Sequence, residues 1–375
     1  MPSARIHEVI IKEINKDYDF DELLLRIGTI APDSWRNIRL KHDIKNKYAS
    51  HFLDFREKDN LAYNYVEFYL KYYKNLSNPF YFGYLVHLIV DKYWKKNIDK
   101  RFYKINKYGK AYKFRDGSYK KISSFFLYKD SLKMQSTLAY IYKLSDLPIN
   151  REYYKHLECN IDELNLDGLF DEDGSLGYIK KDILPKNYES EIAIYDVDLI
   201  IKYINETVNF VKEELERLKQ IKYDYDKKVK IAVNLNTLFD IEKLEEEFFK
   251  LFDSDNIKNI NDKFYLFLLS KGMIDIIYLD YINSFDSDNY QVDLLFNNKV
   301  DESIYLKEGL VKYLNFNNIK YNYINTGFKS IEDLLENRDY NIYIDNKLDN
   351  IKLAKKLKVK TIYLEDKNLV SDLKK

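Results

Sequence analysis

The 375-residue chain carries 61 lysine and arginine residues against 61 aspartate and glutamate residues, and this zero formal charge excludes an overall electrostatic footprint for nucleic acid or an anionic membrane. Hydrophobic residues make up 46% of the chain, which excludes general disorder, and a single cysteine, Cys159, excludes both a disulfide framework and a cysteine-based zinc cluster. We expect a cytoplasmic bacterial protein, because there is no secretory signal, no apolar run long enough to cross a membrane, and a composition typical of AT-rich coding.

The first part of the chain is predicted to be an all-α helical domain over residues 1–219. Apolar residues recur there at three- and four-residue spacing, which is typical of amphipathic helices. The helices are predicted at residues 6–14, 21–27, 61–73, 80–91, 129–143 and 195–218. Residues 106–120 are predicted to form a loop or hairpin, and residues 162–187 an extended loop.

The pattern changes after a boundary that we place at residues 220–228. Short apolar runs predict strands at residues 230–235, 274–279, 291–296, 321–325, 341–345 and 361–364. Helices are predicted between several of them, at residues 241–251, 305–316, 331–336 and 350–357. This alternation predicts a second domain over residues 228–375, an α/β fold with a doubly wound parallel sheet.

The predicted helix over residues 80–91 carries His87 and Asp91 one turn apart. Helical geometry places the two side chains on the same face, where both could point at a single metal ion. Because most other residues of this helix are apolar, we expect the pair to be buried and to need a partner charge. The alternative is that His87 and Asp91 satisfy one another in a helical core.

Further imidazole and carboxylate groups come from separate segments of the same domain. His7 lies near the start of the chain, Asp33 ends a predicted turn, and His51 and Asp54 lie three residues apart. Nitrogen and oxygen ligands from several elements are what a zinc site with more than one ion requires. Singly, each has an ordinary alternative, since loop histidines are usually solvated and aspartates often cap helices.

Four blocks of the chain resemble, in the same order, the zinc-dependent phospholipase C family. They are Ala4-Arg-Ile-His7, Gly28-Thr-Ile-Ala-Pro-Asp33, Ser50-His-Phe-Leu-Asp54 and Phe80-Tyr-Phe-Gly-Tyr-Leu-Val-His87-Leu-Ile-Val-Asp91. The resemblance implies an all-α fold in which Asp33, His51 and His87 ligate one zinc ion, Asp91 bridges, and His7 helps to hold a second. In a two-metal site of this kind we expect Asp54 and Asp33 to be the catalytic carboxylates, with Asp54 orienting a water molecule; the alternative for Asp54 is a helix cap.

The chain departs from the family pattern after Asp91. Three-zinc members have Pro-x-His at this point, whereas the present sequence continues Lys92-Tyr-Trp-Lys-Lys-Asn-Ile98. We therefore expect two zinc ions, with a third absent or held by carboxylates such as Asp130 or Glu206.

A second metal motif competes for the same chemistry. His42 and Asp43 form a dyad that, together with His7 upstream and Asp91 or Asp130 downstream, mimics the order found in HD-type phosphohydrolases. Residues 39–48 have little apolar face with which to bury such a dyad in a helix, so this is the weaker match.

The second domain resembles the haloacid dehalogenase (HAD) superfamily over roughly residues 228–370. The resemblance rests on residues 230–240, where the family has a strand ending in Asp-x-Asp, and on Asp345, with Lys329 at the position of the family's lysine. Asn234 and Asn236 occupy the Asp-x-Asp positions, and an amide cannot form an aspartyl-phosphate. We therefore expect a catalytically degenerate domain; Asp240 as an alternative nucleophile is less favoured.

Taken together, these patterns predict a metal-dependent hydrolase of phosphodiester bonds that acts on a phosphoester small molecule or a phospholipid-like substrate. The alternative is a non-catalytic zinc-binding or regulatory protein. Two other features are given ordinary interpretations. The acidic loop at residues 167–174 is expected to be a solvated turn, and Phe125 and Phe126 are expected to be core residues, with no platform for bases.

Overall fold

The computed structural model describes residues 3–36, 50–54, 62–107, 109–144, 161, 164, 185–252, 260–274, 276–296, 306–326 and 330–364. The chain divides into two compact units, the first of residues 1–53 and 62–219 and the second of residues 54–61 and 220–375. The first unit is helical and the second is built on a parallel sheet. Among the described residues, no helix combines the length and the hydropathy that a bilayer crossing requires.

The helices of the first unit follow the predicted apolar periodicity. They are α1 (Ala4–Asn15), α2 (Glu22–Ile30), α3 (Tyr65–Tyr72), α4 (Pro79–Tyr93), α5 (Ser124–Ile141) and α6 (Val197–Lys227), the last of which continues past the unit boundary. A 3-10 helix, Ala31–Arg36, follows α2 directly. Gly28 therefore lies in α2. In the block at residues 28–33, only residues 31–33 lie outside the α-helix, in the 3-10 helix. Phe125 and Phe126, at the start of α5, are exposed, so the expectation that they belong to the core is wrong.

Helix α4 is the most deeply buried element of this unit, with every residue from Phe80 to Asp91 buried. Its start is encoded locally, because the Asn78 side chain accepts a hydrogen bond from the backbone of Phe80 at 2.9 Å and Pro79 stands at the first helical position. Gly28 and Gly83 let α2 and α4 come together. A Cβ atom on Gly83 would lie 2.2 Å from the Leu25 carbonyl oxygen, so no other residue fits without displacing α2.

Two small sheets complete the described part of the helical unit. Strands β1 (Leu53–Asp54) and β2 (Ala62–Tyr63) form a two-stranded sheet. Strands β3 (Tyr103–Asn106), β4 (Gly109–Lys113) and β5 (Tyr119–Lys120) form an antiparallel sheet where the sequence predicts a hairpin.

The second unit contains five parallel strands in the order β10, β9, β6, β7, β8. The strands are β6 (Val229–Asn234), β7 (Tyr290–Phe296), β8 (Tyr323–Thr326), β9 (Ile342–Asp345) and β10 (Lys360–Tyr363). Apolar clusters cover both faces of the sheet, as an all-parallel sheet requires.

The helices of this unit are α7 (Ile241–Leu251), α8 (Ile260–Lys271), α9 (Ile276–Asn283), α10 (Lys307–Phe316), α11 (Ile331–Asn337) and α12 (Leu348–Lys356). One predicted strand, at residues 274–279, is wrong, because residues from Ile276 onwards form helix α9. Tyr278, Tyr281 and Ile282 are buried at three- and four-residue spacing, which is the helical period.

Candidate metal centre

Three histidines and two aspartates come together in the core of the helical unit. They arrive from α1, the 3-10 helix after α2, the turn before β1, and α4. Each of the five residues is at most 1% exposed: His7, Asp33, His51, His87 and Asp91. The structure therefore brings together all five residues that the sequence nominated as metal ligands.

The ligand atoms of His51 and His87 lie at the centre of one group. Their Nε2 atoms are 3.3 Å apart, and each lies 3.6 Å from Oδ2 of Asp91. The Nε2 atom of His51 also lies 3.6 Å from Oδ1 of Asp33. A tetrahedral zinc ion with nitrogen ligands at about 2.05 Å separates its ligand atoms by about 3.4 Å. The observed spacings match that edge length.

The second oxygen of Asp91 faces a different histidine. Oδ1 of Asp91 lies 3.3 Å from Nε2 of His7, whose ring stacks on that of His87 with centroids 4.1 Å apart. One carboxylate thus presents its two oxygens to two different imidazoles. This arrangement suits a carboxylate that bridges two neighbouring cations.

A backbone carbonyl fixes the tautomer of His87. Its Nδ1 atom lies 2.7 Å from the carbonyl oxygen of Thr29, which can only accept a hydrogen bond. Nδ1 therefore carries a proton. In the neutral ring Nε2 then has a free lone pair, which is the form that a metal ion binds.

A serine hydroxyl fixes the tautomer of His51 in the same way. The Ser50 hydroxyl donates its only proton to the carbonyl oxygen of Pro32 at 2.8 Å, so its oxygen must accept from Nδ1 of His51 at 3.0 Å. Tyr84 in turn donates to the Ser50 carbonyl at 2.5 Å, and this bond holds the turn in place. The lone pairs of His51 and His87 consequently face each other across 3.3 Å, and only a cation or a proton between them removes the repulsion.

Several polar atoms of the cluster make no hydrogen bond within the part of the chain that the structure describes. They are both carboxylate oxygens of Asp91 and both ring nitrogens of His7. Nearby imidazoles offset part of the cost of burying the Asp91 carboxylate, but hydrogen-bond geometry to its oxygens is not met. A bound cation would satisfy these atoms, so the residues present fit a metal ion.

Burial and the neighbouring charges shift the pKa values of the cluster in different directions. Burial lowers the pKa of His7 to about 4, and the neighbouring His87 contributes to this shift. Burial also lowers the pKa of His51. Burial opposes the charged form of His87, but the Asp91 carboxylate outweighs it and raises the pKa of His87. Burial likewise opposes the charged form of Asp91, but His87 and His7 lower its pKa well below the usual value.

Two groups of these residues could hold a metal ion. His7, His87 and Asp91 form one group, and Asp33, His51 and His87 form the other, with ligand atoms no more than 4.8 Å apart in each. His87 has only Nε2 to offer, because Thr29 occupies Nδ1. It can therefore contribute to only one of the two groups at a time.

A buried charge network holds α1 beside α2. Glu8 accepts from Arg5 at 2.8 Å and from Arg26 at 3.0 Å, and all three residues are buried. Because Glu8 follows His7 directly, the network fixes the rotation of α1 that stacks His7 on His87. These are structural residues, and they complete the positioning of the cluster.

The other predicted site residues fall elsewhere. Asp54 ends β1, but its side chain lies outside the described residues, as do His42, Asp43, Lys329 and the acidic loop at residues 167–174. Asp130 accepts hydrogen bonds from the backbone of Ala193 at 2.7 Å and of Ile194 at 2.9 Å. Glu206 pairs with Arg101 at 3.3 Å. Neither carboxylate therefore supplies a third ion at this cluster.

A second polar cluster lies at the carboxyl ends of β6 and β9 in the α/β unit. Asp345 is fully buried and accepts hydrogen bonds from Asn234 at 2.8 Å, from Asn350 at 2.7 Å, from the Lys347 backbone at 2.9 Å and from the Tyr343 hydroxyl. Asn236 bonds instead with Glu242. Both oxygens of Asp345 are already engaged, and within the described residues neither possible metal group lies in this unit.

Three positioning groups have no signal of their own in the sequence. Thr29 acts through its backbone carbonyl, and Ser50 and Tyr84 act through hydroxyl groups of a kind that is common throughout the chain. Phe52, directly after His51, has a φ angle of 49°, which is uncommon for a residue other than glycine and marks a tight turn at the ligand. The one indication in the sequence is that Thr29 and Ser50 lie inside the blocks at residues 28–33 and 50–54, which also contain predicted ligands.

Comparison with protein-family models, with curated proteins and with solved structures finds no match to this chain.

Proposed function

We propose that the helical unit is a metal-dependent hydrolase of phosphodiester bonds that uses two zinc ions. The observation that carries the proposal is the pair of Nε2 lone pairs held face to face at 3.3 Å by Thr29 and Ser50. Two neutral imidazoles in these tautomers repel one another, and a cation or a proton between the two Nε2 atoms removes that repulsion. Their orientation is useful when a cation lies between them.

The chain's own residues divide between the two ions. Asp33, His51, His87 and Asp91 would hold the first ion, and His7 together with Asp91 would hold the second. Nitrogen and oxygen donors without any thiolate are compatible with zinc and leave room for a substrate oxygen. Thr29 and Ser50 keep the two central imidazoles in the tautomer that binds metal.

A bound pair of zinc ions supplies a hydroxide nucleophile at neutral pH and neutralises the charge that develops on the phosphoryl oxygens. Asp91 carries negative charge at that pH, because the neighbouring histidines hold its pKa well below the usual value. Asp54 follows His51 by three residues and is assigned to orienting the attacking water, with Asp33 as the other carboxylate of the catalytic set. The substrate class is a phosphoester small molecule or a phospholipid-like phosphodiester.

The α/β unit is assigned a binding or regulatory role. Asn234 and Asn236 stand at the end of β6, where a carboxylate would be needed for a covalent phosphoenzyme. The four hydrogen bonds that Asp345 accepts also leave it little capacity for a cation.

One observation favours a second candidate, a zinc site with a purely structural role. All five ligand residues are at most 1% exposed, and closed coordination is typical of structural zinc. The two candidates differ in a simple way. A structural site binds zinc tightly without turnover, whereas a catalytic site binds zinc and turns over a phosphodiester.

The experiment measures hydrolysis of a chromogenic phosphodiester by the full-length protein, zinc-loaded and after chelation. We expect activity with zinc only, and a loss of more than about 100-fold in His87→Ala and in His51→Ala, since removal of even an outer partner of a metal ligand costs about 10–100-fold. Circular dichroism checks that each variant is folded.

His42→Ala is the matched control and is expected to keep its activity and zinc content. Activity lost in His42→Ala but kept in His51→Ala would instead favour the HD-type motif. Full activity in the metal-stripped protein would overturn the proposed function, and bound zinc without turnover would leave the structural role as the answer.

A further inference from the structure

The end of helix α4 departs from α-helical geometry three residues after Asp91. Residues Trp94–Ile98 form a π-helix, in which the backbone N–H of Asp99 donates to the carbonyl oxygen of Trp94, five residues earlier. Turns of this kind are rare and occur frequently at functional sites. Because the π-helix follows the last ligand of α4 so closely, the contacts that hold Trp94 also bear on the position of Asp91.

The backbone joins Trp94 directly to Asp91. The N–H of Trp94 is shared between the carbonyl oxygens of Asp91 and Val90, so the turn that carries Asp91 closes on Trp94. The two oxygens of Asp91 face different histidines, with Oδ1 3.3 Å from Nε2 of His7 and Oδ2 3.6 Å from Nε2 of His87. A displacement of Trp94 is therefore passed over a single turn to both oxygens of this carboxylate.

The side chain of Trp94 is anchored on α6. Its indole Nε1–H donates to the Thr207 hydroxyl at 2.9 Å, and that hydroxyl donates its own proton to the carbonyl oxygen of Tyr203 at 2.6 Å. An indole nitrogen only donates and a hydroxyl has one proton, so the direction of both bonds is fixed. Trp94 and Thr207 are both buried, and removal of the hydroxyl would leave the buried indole N–H without its acceptor.

A second threonine makes the same pair of bonds in another part of the helical unit. The Thr137 hydroxyl donates to the carbonyl oxygen of Lys133 at 2.9 Å and accepts from the backbone N–H of Tyr188 at 2.9 Å. Thr137 and Thr207 are equally buried, but Thr137 lies on α5, which contributes no residue to the metal cluster. A comparison of the two threonines therefore separates an effect on the metal centre from an effect on stability alone.

We propose that Trp94 and Thr207 are positioning residues of the metal centre. Their hydrogen bond fixes the last turn of α4 against α6 and so holds Asp91 where its two oxygens face two histidines. The inference rests on the proposed function only in that Asp91 must bind metal, and it does not require turnover.

The test measures the zinc affinity of the full-length protein by competition with a chromophoric chelator, together with the visible absorption of the cobalt-loaded protein. Thr207→Val is expected to weaken zinc binding by about tenfold, the lower end of the loss caused by removing an outer partner of a metal ligand. It should also alter the cobalt spectrum, which reports ligand geometry. Thr207→Ser keeps the hydroxyl and should match the wild type in both measurements.

Thr137→Val is the matched control. It should lower the resistance to denaturant about as much as Thr207→Val does, because each substitution removes a buried hydroxyl that makes two hydrogen bonds. It should leave the zinc affinity and the cobalt spectrum unchanged.

Trp94→Phe removes the other partner of the bond. It should weaken zinc binding as Thr207→Val does, and the double variant should lose no more than the larger single loss, because both substitutions act through one bond. An unchanged zinc affinity in both single variants, an equal loss in Thr137→Val, or a Thr207→Ser protein as weak as Thr207→Val would overturn the positioning role and leave the proposed hydrolase in place. A wild-type protein that binds no metal would overturn both, whereas zinc binding without turnover would overturn the hydrolase alone.

Discussion

At the scale of single residues, the centre depends on where two protons lie. Thr29 and Ser50 hold a proton on Nδ1 of His87 and of His51, and the two Nε2 atoms then face each other. In the metal-free protein one further proton resolves the repulsion. That proton belongs on His87, because Asp91 raises the pKa of His87 whereas burial lowers the pKa of His51.

This assignment predicts how zinc affinity changes with pH. A raised pKa means that His87 holds its proton to a higher pH than a free histidine does, and wherever the proton is held zinc must displace it. Affinity should therefore rise with pH, by about tenfold per unit for one displaced proton, and level off once His87 is deprotonated without metal. Asp91 does not contribute to the change of zinc affinity with pH near neutral pH, because its pKa lies well below the usual value.

Competition with a chromophoric chelator at about pH 6, 7 and 8 measures this dependence. His7 provides an internal reference, since burial lowers its pKa to about 4 and it needs no deprotonation in that range. A zinc affinity that is the same at all three pH values would contradict the assignment of the proton to His87.

The ligand residues could be predicted from the sequence, but the groups that orient them could not. Few histidines occur in the chain, and His7, His51 and His87 fall near carboxylates in blocks with an ordered spacing. A backbone carbonyl such as that of Thr29 has no sequence signature. Its availability depends on which carbonyl at the end of α2 is left without a helical partner, and on the packing of α4 against it.

At the scale of elements, the centre depends on how closely α2 and α4 cross. Gly28 and Gly83 lie at the contact, where a Cβ atom would meet the backbone of the opposite helix at 2.0 Å from Phe80 O and at 2.2 Å from Leu25 O, respectively. Helix α2 ends two residues after Gly28, at Ile30, and Asp33 follows in the 3-10 helix. Two glycines thus set the distance between Asp33 and the side chains on α4.

The substitution Gly83→Ala tests this crossing. The added methyl group must push α2 away, because the atoms that it meets are backbone atoms, and we expect a loss of about 1–3 kcal/mol in unfolding free energy. The shift should also weaken zinc binding, because Thr29 and Asp33 move with α2. Denaturant unfolding and zinc titration measure the two effects.

Asn205→Ala, at an exposed position of α6, is the control for a change to alanine within a helix, and it should leave both quantities unchanged. A Gly83→Ala protein with wild-type stability and wild-type zinc affinity would show that the close crossing does not position the site.

Element types followed from apolar periodicity wherever one face of an element is buried. Helices α1 and α4 and strands β6 and β7 lie within a few residues of their predicted positions, whereas α6 continues to Lys227, nine residues beyond its predicted end. Residues 274–279 were predicted as a strand because a short apolar run fits either element. Tyr281 and Ile282, which follow these residues, are buried together with Tyr278 and form the apolar face of a helix. Most of that face lies outside residues 274–279.

At the scale of the whole molecule, the formal charge is zero, but lysine is concentrated in one segment of the chain. Residues 103–129 alone carry a formal charge of +7. The helical unit and the α/β unit could be predicted as such, because a change from helical to alternating patterns separates them near Gln220. Which residues of the antiparallel sheet are exposed could not be predicted, since a Lys- and Tyr-rich sequence fits either a buried or an open sheet.

The metal content of the purified protein tests the central claim most directly. Elemental analysis after dialysis against zinc should find two zinc ions per chain in the wild type. It should find one in His7→Ala, because Nε2 of His7 faces Oδ1 of Asp91, and Asp33, His51, His87 and Asp91 Oδ2 remain for the first ion. No bound metal in the wild type, or two zinc ions retained in His7→Ala, would contradict the account.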